Sequence, residues 1–137
     1  MKGLKNILLT AIFLVMNIKL IAQPQSLALI PYPNTVTYQS GFFKYSNTNQ
    51  IFIYYQDLKL NQVIKNFVNN AFIHHGIKLK TSSIKKSNVI VFVRDSIIKN
   101  PEGYQLEVTP KIIKVTYNHI NGAFYATQTL MQLLKPF

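Results

Sequence analysis

Gly122-Ala123-Phe124-Tyr125-Ala126-Thr127-Gln128-Thr129-Leu130-Met131-Gln132-Leu133-Leu134-Lys135-Pro136-Phe137 closes the 137-residue chain. Its spacing predicts a helix that begins near Asn121, a residue suited to capping. Ala123, Phe124, Ala126, Leu130, Met131, Leu133 and Leu134 span most of the helix circumference, broken only by Thr127, Gln128, Thr129 and Gln132. A helix on the outside of a small domain keeps one polar face, whereas one apolar all round expects cover on both sides. A sheet can cover one flank. The other flank is expected to meet something outside this stretch of chain, and Phe124, Gln128, Leu130, Met131 and Leu134 are the candidate interface residues.

Upstream, the chain offers a sheet for that first flank. Ile51 to Tyr55 is rich in β-branched and aromatic residues and predicts a strand. Ile77 to Thr81 predicts a short one. Val89 to Val93, Val-Ile-Val-Phe-Val, lacks polar alternation and so predicts a central strand covered on both faces. Glu102 to Val108 and Ile112 to Tyr117 predict a hairpin around Thr109-Pro110-Lys111, and Val36 to Tyr45 another turned at Gln39-Ser40-Gly41. Between them, Leu60, Val63, Ile64, Phe67, Val68, Ala71 and Phe72 recur at helical spacing, with Asp57 as the N-cap and Gly76 as the stop. The order strands, helix, strands, helix implies an α+β fold. A mostly antiparallel β-sheet with two α-helices packed on one face is the expectation.

The first 22 residues read as a signal peptide: Lys2 and Lys5, an apolar run from Ile7 to Met16, and Leu20-Ile21-Ala22 ahead of Gln23. The run is short of the roughly 20 apolar residues a membrane span needs. An exported chain with no stable membrane insertion after cleavage is expected, whether periplasmic, on the outer surface or secreted. Residues 23–137 then form one domain, with 12 basic residues against four acids, a formal balance of +8. The bases are scattered and Lys85-Lys86 is their only adjacent pair, so no basic stripe argues for nucleic acid. Cysteine is absent, which excludes disulfides, thiolate metal sites and a thiol nucleophile.

Acid–base chemistry needs converging titratable groups, and the only acids are Asp57, Asp95, Glu102 and Glu107. None belongs to a paired motif that could divide acid and base roles. His74 and His75 are adjacent, so on a helix they point about 100° apart and cannot readily share an ion, and His119 is distant. There is no Gly-x-Ser-x-Gly elbow and no phosphate-cradling glycine loop. The residues alone therefore nominate no catalytic site, no metal and no cofactor. Tyr32, Tyr38, Tyr45, Tyr54, Tyr55 and Tyr104 could stack on sugars, but they read more simply as strand residues with one wet end.

Three segments in series carry a resemblance: Leu29-Ile30-Pro31-Tyr32-Pro33, then Pro101-Glu102-Gly103-Tyr104-Gln105-Leu106, then Gly122-Ala123-Phe124-Tyr125 followed by Gln128 to Leu134. In order and spacing they resemble the N-terminal domain of the β-N-acetylhexosaminidases of glycoside hydrolase family 20, over about Leu27 to Phe137. The resemblance implies a sheet with two helices on one face, the helices leaning on a following (β/α)8 barrel. It also implies that catalysis belongs to the barrel, where an adjacent Asp-Glu pair assists attack by the substrate's own acetamido oxygen, a substrate-assisted route. No such pair stands in this sequence, so no catalytic residue transfers to any position. Two departures occur: Ala126 stands where the family often has glycine, and Tyr117 where a small residue is frequent.

The leading expectation is an accessory domain of an exported β-N-acetylhexosaminidase, truncated before its catalytic barrel and inactive alone. A free-standing exported module that binds carbohydrate or protein is the alternative, and a cationic surface protein for anionic polymers is a third. A barrel with an Asp-Glu pair encoded immediately downstream would decide for the first.

Overall fold

The computed structural model describes residues 28–43, 51–84 and 88–134. The expected signal peptide, Lys85-Lys86 and Phe137 lie outside the described residues. Five strands are formed, β1 (Ile51–Tyr54), β2 (Leu79–Thr81), β3 (Val89–Arg94), β4 (Tyr104–Val108) and β5 (Ile112–Tyr117), in the spatial order β2-β1-β3-β5-β4. Two helices, α1 (Asn61–His75) and α2 (Ile120–Leu133), complete an α+β fold.

The sheet is mixed, which corrects the expectation of a mostly antiparallel one. β1 pairs in parallel with both β2 and β3, and β3 with β5, while only β4 and β5 pair antiparallel. The physical reason lies in the connections. α1 carries the chain from the end of β1 back to the start of β2, and a helical crossover delivers the next strand parallel. The expected hairpin at 36–45 would have supplied an antiparallel pair, but residues 36–43 form no strand, and Lys44 and Tyr45 lie outside the described residues. The hairpin around Thr109-Pro110-Lys111 is present: Tyr104 faces Tyr117 and Val108 faces Ile113. β3 is central, and Val89, Ile90, Val91 and Phe92 are all buried, as an unalternating apolar run requires.

Strand register places one set of side chains on the helix side. Ile53, Ile90 and Ile113 align across β1, β3 and β5, as do Phe92 and Val115, and all lie in one core cluster. Ile64, Phe67 and Ala71 of α1 and Ala123, Ala126 and Leu130 of α2 enter the same cluster, so both helices cover the same face. α1 packs toward β2, α2 packs on β4 and β5, and the helices touch each other.

Local chemistry explains the boundaries. Asp57 accepts a hydrogen bond from the Lys59 amide at 3.0 Å, and its cap starts a 3-10 turn, Leu58–Leu60, that feeds α1. At the other end Gly76 takes a left-handed conformation with φ of 67°, and the Ile77 amide reaches back to the Ala71 carbonyl at 3.1 Å. With the Gly76 amide bonded to the Phe72 carbonyl at 2.9 Å this is an αL-type stop, and glycine adopts it without a Cβ penalty. The N-cap of α2 is His119, two residues before the expected Asn121.

Candidate functional site

α2 divides its side chains unequally. Gly122, Ala123, Ala126, Thr127, Thr129 and Leu130 are buried, whereas Ile120, Phe124, Tyr125 and Gln128 are exposed and Met131 is half-buried. Leu130, 0 % exposed, and Leu134, 3 % exposed, sit inside this chain's own core. Of the five candidate interface residues, these two therefore cannot meet another domain. Phe124 and Gln128 face outward one helical turn apart, with Met131 at the margin of the same stripe. Phe124 is 44 % exposed, and its ring meets that of Tyr125 edge-on with centroids 5.5 Å apart. Two neighbouring aromatic rings and Ile120 thus form an apolar outer face at the N-terminal half of α2. α1 and its leading turn bear further exposed apolar side chains, Leu58, Phe72 and Ile73.

What holds α2 in place was not legible in the sequence. The Gln132 carboxamide pairs with the backbone of Ile30 in both directions: Gln132 Nε2 donates to the Ile30 carbonyl and the Ile30 amide donates to Gln132 Oε1, each at 2.9 Å. Tyr104, at the start of β4, joins its hydroxyl to Thr129 Oγ1 at 2.6 Å. Gly122 lies so close to the Gly103 carbonyl that any Cβ there would collide with it. The three segments that carry the family resemblance, distant in sequence, thus converge on one helix. Paired glycines at 103 and 122 were the available signal, but a lone glycine does not name the partner it approaches.

The four acids do not converge. Asp57 caps the turn before α1, Asp95 accepts from the Ile97 amide at 2.9 Å, Glu102 lies in a loop, and Glu107 stands opposite Lys114 in the hairpin. Among the described residues no group of three or more His, Asp or Glu side chains could hold a metal ion. The His74 and His75 ring centroids are 6.5 Å apart at an angle of 61°, and His119 caps α2. No helix of the described residues is long and apolar enough to cross a membrane.

One titratable group is strongly perturbed. Burial, reinforced by the nearby Asp57 carboxylate, pushes the Tyr117 hydroxyl up to about 12 from its ordinary 10. Its hydroxyl donates a long, part-buried hydrogen bond of 3.5 Å to Asp57 Oδ2, linking the end of β5 to the cap of α1. Because the folded state holds this proton more tightly than the unfolded chain, the stabilisation is present below pH 10 and is lost as pH rises through about 12. Urea unfolding above about pH 9 should therefore show stability falling with pH, and Tyr117→Phe should flatten that slope. An equal slope in both proteins would refute the assignment. The large residue at position 117 is thus accommodated as a core member, 1 % exposed.

A sequence-family model described as glycosyl hydrolase family 20, domain 2, matches residues 26–137. Among solved structures, a family 20 exo-β-N-acetylglucosaminidase from Vibrio harveyi, solved in complex with N-acetylglucosamine, is similar with a TM-score of 0.68 and 26% identity. That similarity covers 84% of this chain and 18% of the other. A β-N-acetylhexosaminidase from Bacteroides fragilis shares the fold at 22% identity and a TM-score of 0.63, over 76% of this chain and 20% of its own. A chitobiase from Flavobacterium johnsoniae does so at 24% and 0.59, over 84% and 19%. This chain spans about a fifth of the length of these solved chains.

Proposed function

Because this chain belongs to the family of glycosyl hydrolase family 20, domain 2, we propose that it is the accessory domain of an exported β-N-acetylhexosaminidase. Such an enzyme hydrolyses terminal N-acetylhexosamine residues from glycans. The observation that carries the reading is the outer face of α2, where Ile120, Phe124 and Tyr125 remain exposed beside a helix otherwise anchored in the core. That face seats on a (β/α)8 catalytic barrel in the same polypeptide, and the barrel supplies the chemistry. This domain contributes rigidity and contact area: its dispersed acids leave it no means of protonating a leaving group and activating a nucleophile together.

The test is turnover. Purified residues 23–137 should release no chromophore from a chromogenic N-acetyl-β-glucosaminide, whereas the same domain joined to its barrel should. Hydrolysis by the domain alone that survives stringent purification and disappears in Glu102→Gln would overturn the proposal. Export is read from the same expression: the mature product should begin at or near Gln23 by N-terminal mass spectrometry. Cytoplasmic protein that keeps Met1 would contradict it.

A further inference from the structure

A concavity lies along α1. It opens where the parallel strands β1 and β2 end, beside the first turns of α1, and has a volume of about 430 Å³. Clefts beyond the carboxyl ends of parallel strands are where open α/β sheets commonly take ligands. Val68 lines it with apolar surface above the buried Ile64, and Tyr55, Asn61, Lys65, Asn66, Asn69 and Thr81 supply its polar groups. Asn61, Lys65 and Asn69 recur every fourth residue, so they stand on one side of α1.

The chemistry of this lining is narrow. Three carboxamides, a phenol and a hydroxyl surround it, with one ammonium group and no carboxylate. Tyr55 donates to Asn61 Oδ1 at 2.8 Å, which fixes the phenol and leaves both Asn61 Nδ2 hydrogens for a ligand. Gln62 likewise donates to Asn66 Oδ1 at 2.8 Å and leaves the Asn66 NH₂. Among the described residues, no side-chain hydrogen bond occupies Asn69 or Thr81, which offer both donors and acceptors. A metal ion would require carboxylate or imidazole ligands, which the lining lacks. Uncharged groups that both donate and accept, set around a mostly apolar lining, match a ring with hydroxyls at its edge and C–H groups on its face.

We propose that this concavity is a binding site for a neutral pyranose saccharide. The inference goes beyond the accessory-domain reading and does not depend on it, since the site is built from Tyr55 just after β1, Thr81 at the end of β2, and α1.

Ligand-observed saturation-transfer NMR on the isolated chain at micromolar concentration, with triacetylchitotriose as probe, tests the proposal. Saturation transfer to the sugar is expected, and Asn69→Ala should weaken binding about fivefold, the effect of one uncharged hydrogen bond. Asn69 is exposed and alanine is the better helix former, so the variant should fold. Asn70→Ala, on the same helix but outside the lining, should bind like the parent. Absence of transfer, or equal binding in Asn69→Ala and the parent, would overturn the site. Stronger transfer to a sulfated oligosaccharide or an oligonucleotide, lost in Lys65→Ala, would also overturn it by showing a charge-driven surface. None of these readouts uses hydrolysis, so failure here and failure of the accessory-domain reading are distinguishable.

Discussion

Gly122→Ala should destabilise the domain by about 3 kcal/mol, the upper range for forcing extra volume into a packed contact. The new Cβ would be driven into the Gly103 carbonyl, a backbone atom that cannot swing aside as a flexible side chain would. The sign of the effect is what makes the experiment informative. In an open helical position the same change stabilises by roughly 0.5–1 kcal/mol, because alanine is the better helix former and restricts the unfolded chain. A thermal midpoint lowered on the order of 10 °C is expected for a domain of this size. A raised midpoint would mean that α2 does not press against the Glu102–Gly103 loop. Since native domains hold only about 5–15 kcal/mol, such a loss is a large fraction of the whole.

The second large effect separates the two sides of α2. Leu130→Ala should cost about 3 kcal/mol, because a fully buried leucine loses its transfer free energy and leaves a cavity that neighbours fill only partly. Phe124→Ala should cost less than about 1 kcal/mol, since the ring is 44 % exposed already. Its effect should appear elsewhere. The isolated domain is expected to bind a hydrophobic dye through the outer face of α2, and Phe124→Ala should reduce that fluorescence. Joining the domain to its barrel should abolish it. Contiguous apolar surface of a few hundred Å² or more marks a contact site, so a dye-silent and monomeric domain would show that no such surface is left bare. Chemical denaturation of Leu130→Ala and dye binding of Phe124→Ala, measured on the same preparations, decide between core and interface for each residue.

Local patterns in the sequence determined the secondary elements. The three- and four-residue spacing from Leu60 to Phe72, closed by Gly76, corresponds to α1, and the unalternating Val89–Val93 run corresponds to the central strand. Those readings succeed because helix periodicity, a left-handed glycine stop and double-sided burial each leave a signature within a few residues. The family resemblance was likewise legible, since it rests on the order of three short motifs. Strand direction was not. Ile51–Tyr54 pairs in parallel with strands that begin at Leu79 and Val89, and pairing direction depends on where α1 returns the chain, which no strand's own residues encode. Nor did the sequence determine which side of α2 is bared. An apolar residue has the same transfer free energy on either flank, so Leu130 and Phe124 look alike until the sheet takes one and leaves the other. Only the tertiary structure decided that, through the Gly122–Gly103 contact, the Tyr104–Thr129 hydrogen bond and the Gln132–Ile30 pairing, which together set how α2 is rolled on the sheet.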